Sequence, residues 1–189
     1  MLYLVRHGES QANIQKRYSG ITDVDLSENG VLQAKAAGQN LMCEKITHIF
    51  SSSLKRAKET AIIIKNEIKF PDEIVLEPCL VEVNFGIFEN MTWDEMRTIY
   101  REETENWILQ KHKYKFPKGE GYDDIIKRVA DFINSVPDNS LIVTHFGVIQ
   151  SILLYLGVAD DANLWDFTVS NCDVIVLNNK KFDRIIRNN

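Results

Sequence analysis

Five residues of the sequence carry side chains that together could act on a phosphate group. They are Arg6, His7, Arg56, Glu82 and His145. The transition state of phosphoryl transfer spreads negative charge over oxygens that guanidinium and imidazole N–H groups can hold. A neutral imidazole is also a nucleophile toward phosphorus, and a carboxylic acid can protonate the oxygen that leaves. These residue types therefore favour phosphoryl chemistry, with His7 as the nucleophile and Glu82 as the acid.

Each of these side chains could instead be structural or could bind a metal ion. Arg-His-Gly is a weak motif by itself, and a histidine at a strand end is often only part of the core. Arg56 favours the functional interpretation, because a cation in the first turn of a helix is disfavoured by the dipole unless an anion offsets it. The sequence has no HxxxH or HxH spacing and no carboxylate cluster, so we predict neither a metal site nor a cofactor.

The elements that must position these side chains alternate between short apolar strands and helices. Strands are predicted at residues 2–5, 47–50, 74–76 and 140–144, with a terminal hairpin at 174–177 and 182–186. Helices are predicted at residues 28–43, 54–68, 92–112, 122–135 and 148–156. This alternation predicts an α/β fold, a three-layer αβα sandwich with a mostly parallel central sheet. Because ligands bind outside the carboxyl ends of such strands, the five side chains should meet at one rim.

Composition limits the class of protein. A chain of 189 residues, 44% hydrophobic and 26% charged, fits one domain over residues 1–189. The formal net charge of −5 repels polyanions, so we expect no nucleic-acid partner. No apolar run approaches the roughly 18 residues of a spanning helix, and the N-terminus lacks a signal-peptide pattern, so we expect no membrane partner and a cytoplasmic location. Three cysteines without CxxC spacing favour reduced thiols. The oligomeric state stays open.

Several motifs, in the same order along the chain, resemble those of the histidine phosphatase superfamily, the phosphoglycerate mutase-like proteins. The resemblance covers essentially the whole chain. Within the superfamily, the chain most resembles the phosphatase branch and is similar to α-ribazole phosphatase. The matching segments are LVRHGES with Asn13, LSENG with Gln33-Ala34, SSSLKRA with Glu59-Thr60-Ala61, LVEVNFG with Glu89, Gly119-Glu120 with Arg128, and VTHFG at residues 143–147.

The resemblance implies roles for individual residues. It implies that His7 is the nucleophile that becomes phosphorylated and that Glu82 is the proton donor. The residues that it places around the phosphate or the substrate are Arg6, Asn13, Ser53, Arg56 and His145. Asn90 and Gly121 depart from residues frequent in the family, Gly and Ser respectively, and these departures put substrate-side contacts in doubt rather than the reaction.

The leading hypothesis is a metal-independent phosphomonoesterase that hydrolyses a small phosphorylated metabolite through a phosphohistidine intermediate. One alternative is a mutase of the phosphoglycerate mutase type, which would return the phosphoryl group to another hydroxyl. The segment between Glu82 and His145 is shorter than in such cofactor-dependent mutases. A second alternative, an inactive module that binds a phosphorylated ligand, should have lost His7 or an arginine, and both persist.

Residues 88–118 are predicted to form a helical cover over the site. Its aromatic residues, Trp93, Tyr100, Trp107 and Tyr114, could shape the leaving-group side, but a helical aromatic stripe is more often core, and we interpret them as packing residues. His112, between two lysines, is interpreted as solvated.

Overall fold

The computed structural model describes residues 1–188. The strands are β1 (Leu2–Arg6), β2 (Arg17–Tyr18), β3 (His48–Ser51), β4 (Val75–Leu76), β5 (Met91–Thr92), β6 (Ser140–Thr144), β7 (Val174–Asn178) and β8 (Lys181–Ile186). The α-helices are α1 (Gln11–Ile14), α2 (Glu28–Leu41), α3 (Lys55–Glu67), α4 (Trp93–Ile99), α5 (Arg101–Gln110), α6 (Tyr122–Ser135) and α7 (Phe146–Tyr155). Short 3-10 helices span Pro78–Leu80, Gly86–Phe88, Lys111–Lys113 and Leu164–Phe167.

Six strands form the central sheet, in the order β4-β3-β6-β1-β7-β8. The first four of these are parallel, whereas β7 pairs antiparallel with β1, and β8 pairs antiparallel with β7. Helices α2 and α3 pack together over one core, and α6 and α7 pack together over the other. Successive β1 residues alternate between them: Leu2 and Leu4 belong to one core, and Tyr3 and Val5 to the other. This architecture confirms the predicted α/β sandwich with a mostly parallel sheet.

The predicted elements recur, with two differences. The helix predicted at 92–112 is two helices, α4 and α5, because Tyr100 leaves the helical conformation (φ −125°, ψ 52°). The sequence reasoning also missed α1 and the two-stranded ribbon of β2 and β5, which are too short to show periodicity. Among residues 1–188, no helix has both the length and the apolar character to cross a bilayer.

Candidate active site

His7 lies directly after β1 and is almost fully buried. Its Nδ1 lies 2.7 Å from the carbonyl oxygen of Gly8, so Nδ1 carries the proton and donates it. The Nε–H group of Arg56 points at His7 Nε2 over 3.3 Å, which leaves that nitrogen unprotonated. Burial, with the positive charges of Arg56 and Arg6, holds the pKa of His7 well below its usual value of 6.5. His7 is thus a neutral imidazole with a lone pair on Nε2.

Arg56 lies in the first turn of α3 and is 1% exposed. Its Nη1 donates to the carbonyl oxygen of Thr22 over 3.0 Å, and Nη2 donates to those of Ser19 and Gly20 over 3.0 and 2.7 Å. These bonds fix the guanidinium group beside His7. The structure therefore supports the expectation that this cation does not simply face solvent.

Glu89 organises the loop that holds Arg56. Its carboxylate accepts hydrogen bonds from the backbone N–H groups of Gly20, Ile21 and Thr22 and, over 2.6 Å, from the hydroxyl of Thr22. The loop's N–H groups thus bind Glu89, while its carbonyl oxygens face Arg56. Glu89 belongs to one of the sequence motifs, but the sequence predicts no role for it, because nothing local connects it with residues 20–22.

Arg6 ends β1 and donates from Nη1 to the carbonyl oxygen of Val169 over 2.8 Å. Its guanidinium carbon lies 5.4 Å from the centre of the Phe146 ring, within cation–π range. Its Nε is buried and has no hydrogen-bond partner within residues 1–188. An orphaned buried donor is unfavourable, so an anion that accepts this N–H group would be stabilised there.

His145 follows β6 and precedes α7, and it is fully buried. Its ring centre lies 5.1 Å from that of His7. Ser52 Oγ accepts the N–H group of Leu54 over 3.3 Å and lies 2.8 Å from His145 Nε2. With the Ser52 hydroxyl as the donor of that bond, the proton of His145 lies on Nδ1, a buried atom without a partner in the described part of the chain.

Ser53 corrects one sequence expectation. It is exposed and does not line the cavity described below, whereas its neighbour Ser52 is buried against His145. The chain turns after Ser51, the last residue of β3, so that only one of the next two serines faces the site. The motif contains three successive serines and could not indicate which of them lies beside His145.

Glu82 is 7% exposed and follows a 3-10 helix rather than a long strand. Its Oε1 accepts the N–H of Val83 over 2.9 Å, and its Oε2 accepts the N–H of Gly147 over 3.3 Å. A Cβ atom at position 147 would lie 2.8 Å from Oε1, so any residue other than glycine would displace this carboxylate. Burial raises the pKa of Glu82 above its usual value, although these two N–H groups and Arg56 oppose that rise.

Arg128 and Glu120 hold the irregular segment that carries Glu82. The guanidinium of Arg128 donates to the carbonyl oxygens of Cys79, Val81 and Glu82. It also pairs with the carboxylate of Glu120, from Nε to Oε1 over 3.2 Å. A segment without a sheet partner thus gains fixed hydrogen bonds from α6, and these position the backbone of the candidate acid.

A cavity of about 650 Å³ opens at this rim. Arg6, His7, Asn13 and Glu82 line it, and Arg56 and His145 are in contact with His7. Asn13 Oδ1 already accepts the N–H group of Ser10, so Asn13 can offer a ligand its amide N–H group. Of the seven predicted site residues, the structure therefore brings six together and leaves Ser53 outside.

His112 was wrongly interpreted as solvated. Its side chain is 10% exposed, its Nε2 lies 2.8 Å from Asp161 Oδ1, and the residue lines the same cavity. The flanking lysines suggested a solvated turn. The 3-10 helix at Lys111–Lys113 instead turns the imidazole inward, a placement that depends on distant Asp161.

We predict that the free energy of unfolding falls as the pH drops below about 6.5. His7 and His145 are held neutral in the folded protein, since burial and nearby arginines hold the pKa of each well below 6.5. Only the unfolded chain then gains their protons, which lowers stability by about 1.4 kcal/mol per pH unit for each histidine. The raised pKa of Glu82 acts in the opposite direction, because the folded state takes up that proton first.

Urea unfolding of the wild type and His7→Ala between pH 5 and pH 7 checks this prediction. The variant should lose the contribution of one histidine to the slope. A His48→Ala control should keep the slope, because His48 is exposed at the start of β3. Equal slopes for the wild type and His7→Ala would contradict a buried neutral His7.

A mostly parallel sheet that brings two histidines, two arginines and a buried glutamate together provides the side chains that phosphate chemistry requires. The model of the histidine phosphatase superfamily (branch 1) matches residues 2–187, and the chain belongs to this family. This confirms the resemblance carried by the sequence motifs.

Relatives with different printed activities are similar to the chain. It is 31% identical over 190 residues to phosphoserine phosphatase 1 of Hydrogenobacter thermophilus, covering 98% of this chain and 89% of that protein. It is 32% identical over 185 residues to a probable phosphoglycerate mutase, GpmB, of Erwinia tasmaniensis, with 92% and 82% covered. The solved α-ribazole phosphatase from Shigella flexneri superposes with a TM-score of 0.83 at 28% identity, with 100% and 96% covered. Phosphatases therefore stand among the relatives, without agreement on one substrate.

Proposed function

We propose that the protein is a phosphomonoesterase that hydrolyses a small phosphorylated metabolite through a phosphohistidine formed on His7. The observation that carries this proposal is the state of the His7 ring. Its Nδ1–H group is held by the Gly8 carbonyl oxygen, and its unprotonated Nε2 is held beside Arg56. A nucleophile needs this fixed tautomer and an unprotonated nitrogen.

In the first step, the lone pair of His7 Nε2 attacks phosphorus and forms the N–P bond. The bond between phosphorus and the ester oxygen breaks, and its electrons go to that oxygen, which takes the proton of Glu82. The alcohol then leaves. Burial favours the protonated form of Glu82 that this step requires, because it raises the pKa of the carboxyl.

In the second step, Glu82 is a carboxylate and acts as the base. It takes a proton from water as the water oxygen attacks phosphorus. The N–P bond breaks, its electrons return to Nε2, and phosphate leaves. His7 is again neutral and Glu82 is again protonated, so neither step requires a metal ion. Within residues 1–188, no three His, Cys, Asp or Glu side chains group as metal ligands.

The remaining residues hold the phosphoryl oxygens. Arg6 Nε is a buried donor without a partner in the described chain, His145 Nδ1 is buried there without a partner as well, and the Arg56 guanidinium lies fixed beside His7. Donors that are already oriented stabilise the charge of the transition state without reorganising as the reaction proceeds. A module that only binds a phosphorylated ligand would not require Glu82 in addition to these donors.

We expect the purified protein to release inorganic phosphate from a panel of phosphorylated metabolites, at a rate unchanged by EDTA. Brief incubation with a ³²P-labelled substrate should also leave label on the protein, stable in alkali and lost in acid, as is typical of phosphohistidine. The measurements are phosphate release and protein-bound label after rapid quenching.

Three outcomes would contradict the proposal. Inhibition by EDTA that a divalent ion reverses would indicate a metal enzyme. Transfer of the phosphoryl group to a second hydroxyl, dependent on bisphosphoglycerate, would indicate the mutase. Binding of phosphorylated ligands with no turnover would indicate an inactive module.

A further inference from the structure

The cavity is much larger than a phosphate group requires. It measures about 650 Å³, whereas a phosphate group occupies roughly 100 Å³, about the space of three waters. Arg6 and His7 line the cavity at the end of β1, and further walls come from β2, from α4 and α5, and from the segment after α7. Most of the cavity is therefore left for the leaving group. The residues that line this part of the cavity indicate which kind of leaving group it binds.

Those walls are mostly aromatic. Nine of the residues that line the cavity are Phe, Tyr or Trp, including all three tryptophans of the chain. Several of them are fixed by mutual packing: the Trp107 ring centre lies 4.8 Å from that of Phe116 and 5.7 Å from that of Trp93. Our interpretation of Trp93 and Trp107 as packing residues was thus incomplete, because they both pack and line the cavity.

Trp165 differs from this packed group. It lies in the 3-10 helix at Leu164–Phe167, is 45% exposed, and has no aromatic neighbour within residues 1–188. Exposure of a large ring at the wall of a cavity is unfavourable in water. A planar apolar group in the cavity would cover this ring.

The charges of the wall argue against an amino group on the substrate. Within the described chain, Glu82 is the one acidic side chain that lines the cavity, and the proposed reaction already uses it. Lys16 and Lys111 also line the cavity and are exposed. The ammonium group of phosphoserine would lack a carboxylate partner here and would face two lysines, and the attraction of those lysines for its carboxylate only offsets that repulsion. An uncharged ring meets neither penalty.

We propose that this cavity selects phosphomonoesters with a planar aromatic leaving group, and that Trp165 is a specificity-determining residue that contacts the ring. The inference rests on the phosphomonoesterase function proposed above. The substrate class it names is an aromatic alcohol phosphate, rather than an amino-acid or short-chain phosphate.

Three primary-alkyl phosphates test the inference: ethyl phosphate, 2-(1-naphthyl)ethyl phosphate and O-phospho-L-serine. Their esters differ little at the reacting centre, so kcat/KM reports how well the rest of the molecule is bound. We expect kcat/KM for the naphthylethyl ester to exceed that for ethyl phosphate by about a hundredfold, because the naphthyl ring leaves water. Phosphoserine should stay close to ethyl phosphate.

The role of Trp165 is tested by the ratio of kcat/KM for the naphthylethyl ester to that for ethyl phosphate. Trp165→Ala should lower this ratio about threefold to tenfold, the usual worth of an aromatic contact. Phe182→Ala is the matched control: its ring is also 45% exposed, but it packs on Phe167 and does not line the cavity. The control should keep both the ratio and the activity.

The possible failures are distinguishable. Similar values for ethyl and naphthylethyl phosphate, or a preference for phosphoserine, would overturn the inference and leave the phosphomonoesterase proposal in place, since phosphate would still be released.

An unchanged ratio in a folded Trp165→Ala variant would remove Trp165 from the site. If that variant does not fold, the wild-type ratio still decides the substrate class. No phosphate release from any of the three esters would contradict the proposed function itself.

Discussion

Replacement of His7 by alanine is expected to lower phosphomonoester hydrolysis by at least about 10⁴-fold, because an alanine cannot form the N–P bond. The remaining donors, Arg6, Arg56 and His145, can still hold the substrate but cannot provide the nucleophile. The loss should be the same for alkyl and aryl esters, since both must pass through the same phosphorylated residue. Phosphate release from an aryl phosphate such as p-nitrophenyl phosphate measures it.

The matched control is His48→Ala, which removes an exposed histidine at the start of β3. It should keep full activity and full protein-bound label after incubation with labelled substrate, whereas His7→Ala should show no label. Circular dichroism should show that His7→Ala is folded at pH 7. Label that persists in His7→Ala would assign the phosphorylated group to another residue and contradict the proposed mechanism.

The sequence predicted that the candidate site residues lie together because the rule behind the prediction is a rule of topology. Parallel strands end at the same edge of a sheet, so residues directly after them meet whatever their distance in sequence. Arg6 and His7 after β1 and His145 after β6 follow this rule, and β1 and β6 are neighbours in the sheet. Arg56 obeys the same rule because it lies in the first turn of α3, the helix that follows β3. Strand β3 is also a neighbour of β6 in the sheet.

The rule does not extend to side chains that long-range contacts position. Glu82 lies in an irregular segment, and its place depends on Arg128 from α6, which no local pattern reveals. The inward orientation of His112 depends on Asp161, 49 residues further along the chain. Ser52 and Ser53 are adjacent residues of the same type, so only the turn after β3 separates the buried one from the exposed one.

Replacement of Glu82 by glutamine is expected to slow alkyl phosphates far more than aryl phosphates. An alkoxide is a poor leaving group and needs the proton of Glu82 as the ester bond breaks, so the loss should be about 10²- to 10⁴-fold. A nitrophenolate leaves without that proton, so the first step should change little with p-nitrophenyl phosphate. The comparison of kcat/KM for the two kinds of ester separates proton donation from any general effect on the site.

The pH dependence of alkyl ester hydrolysis is a second, independent test of Glu82 as the proton donor. Burial raises the pKa of Glu82, so the acid keeps its proton to higher pH than an exposed glutamate, and a bound dianion favours the protonated form further. Hydrolysis of alkyl esters should therefore decline as the pH rises through this raised pKa, and the decline should vanish in Glu82→Gln. Glu73→Gln, at an exposed glutamate outside the cavity, should keep the wild-type profile. Equal losses for alkyl and aryl esters, with the alkaline decline retained, would mean that Glu82 is not the acid and that another group protonates the leaving oxygen.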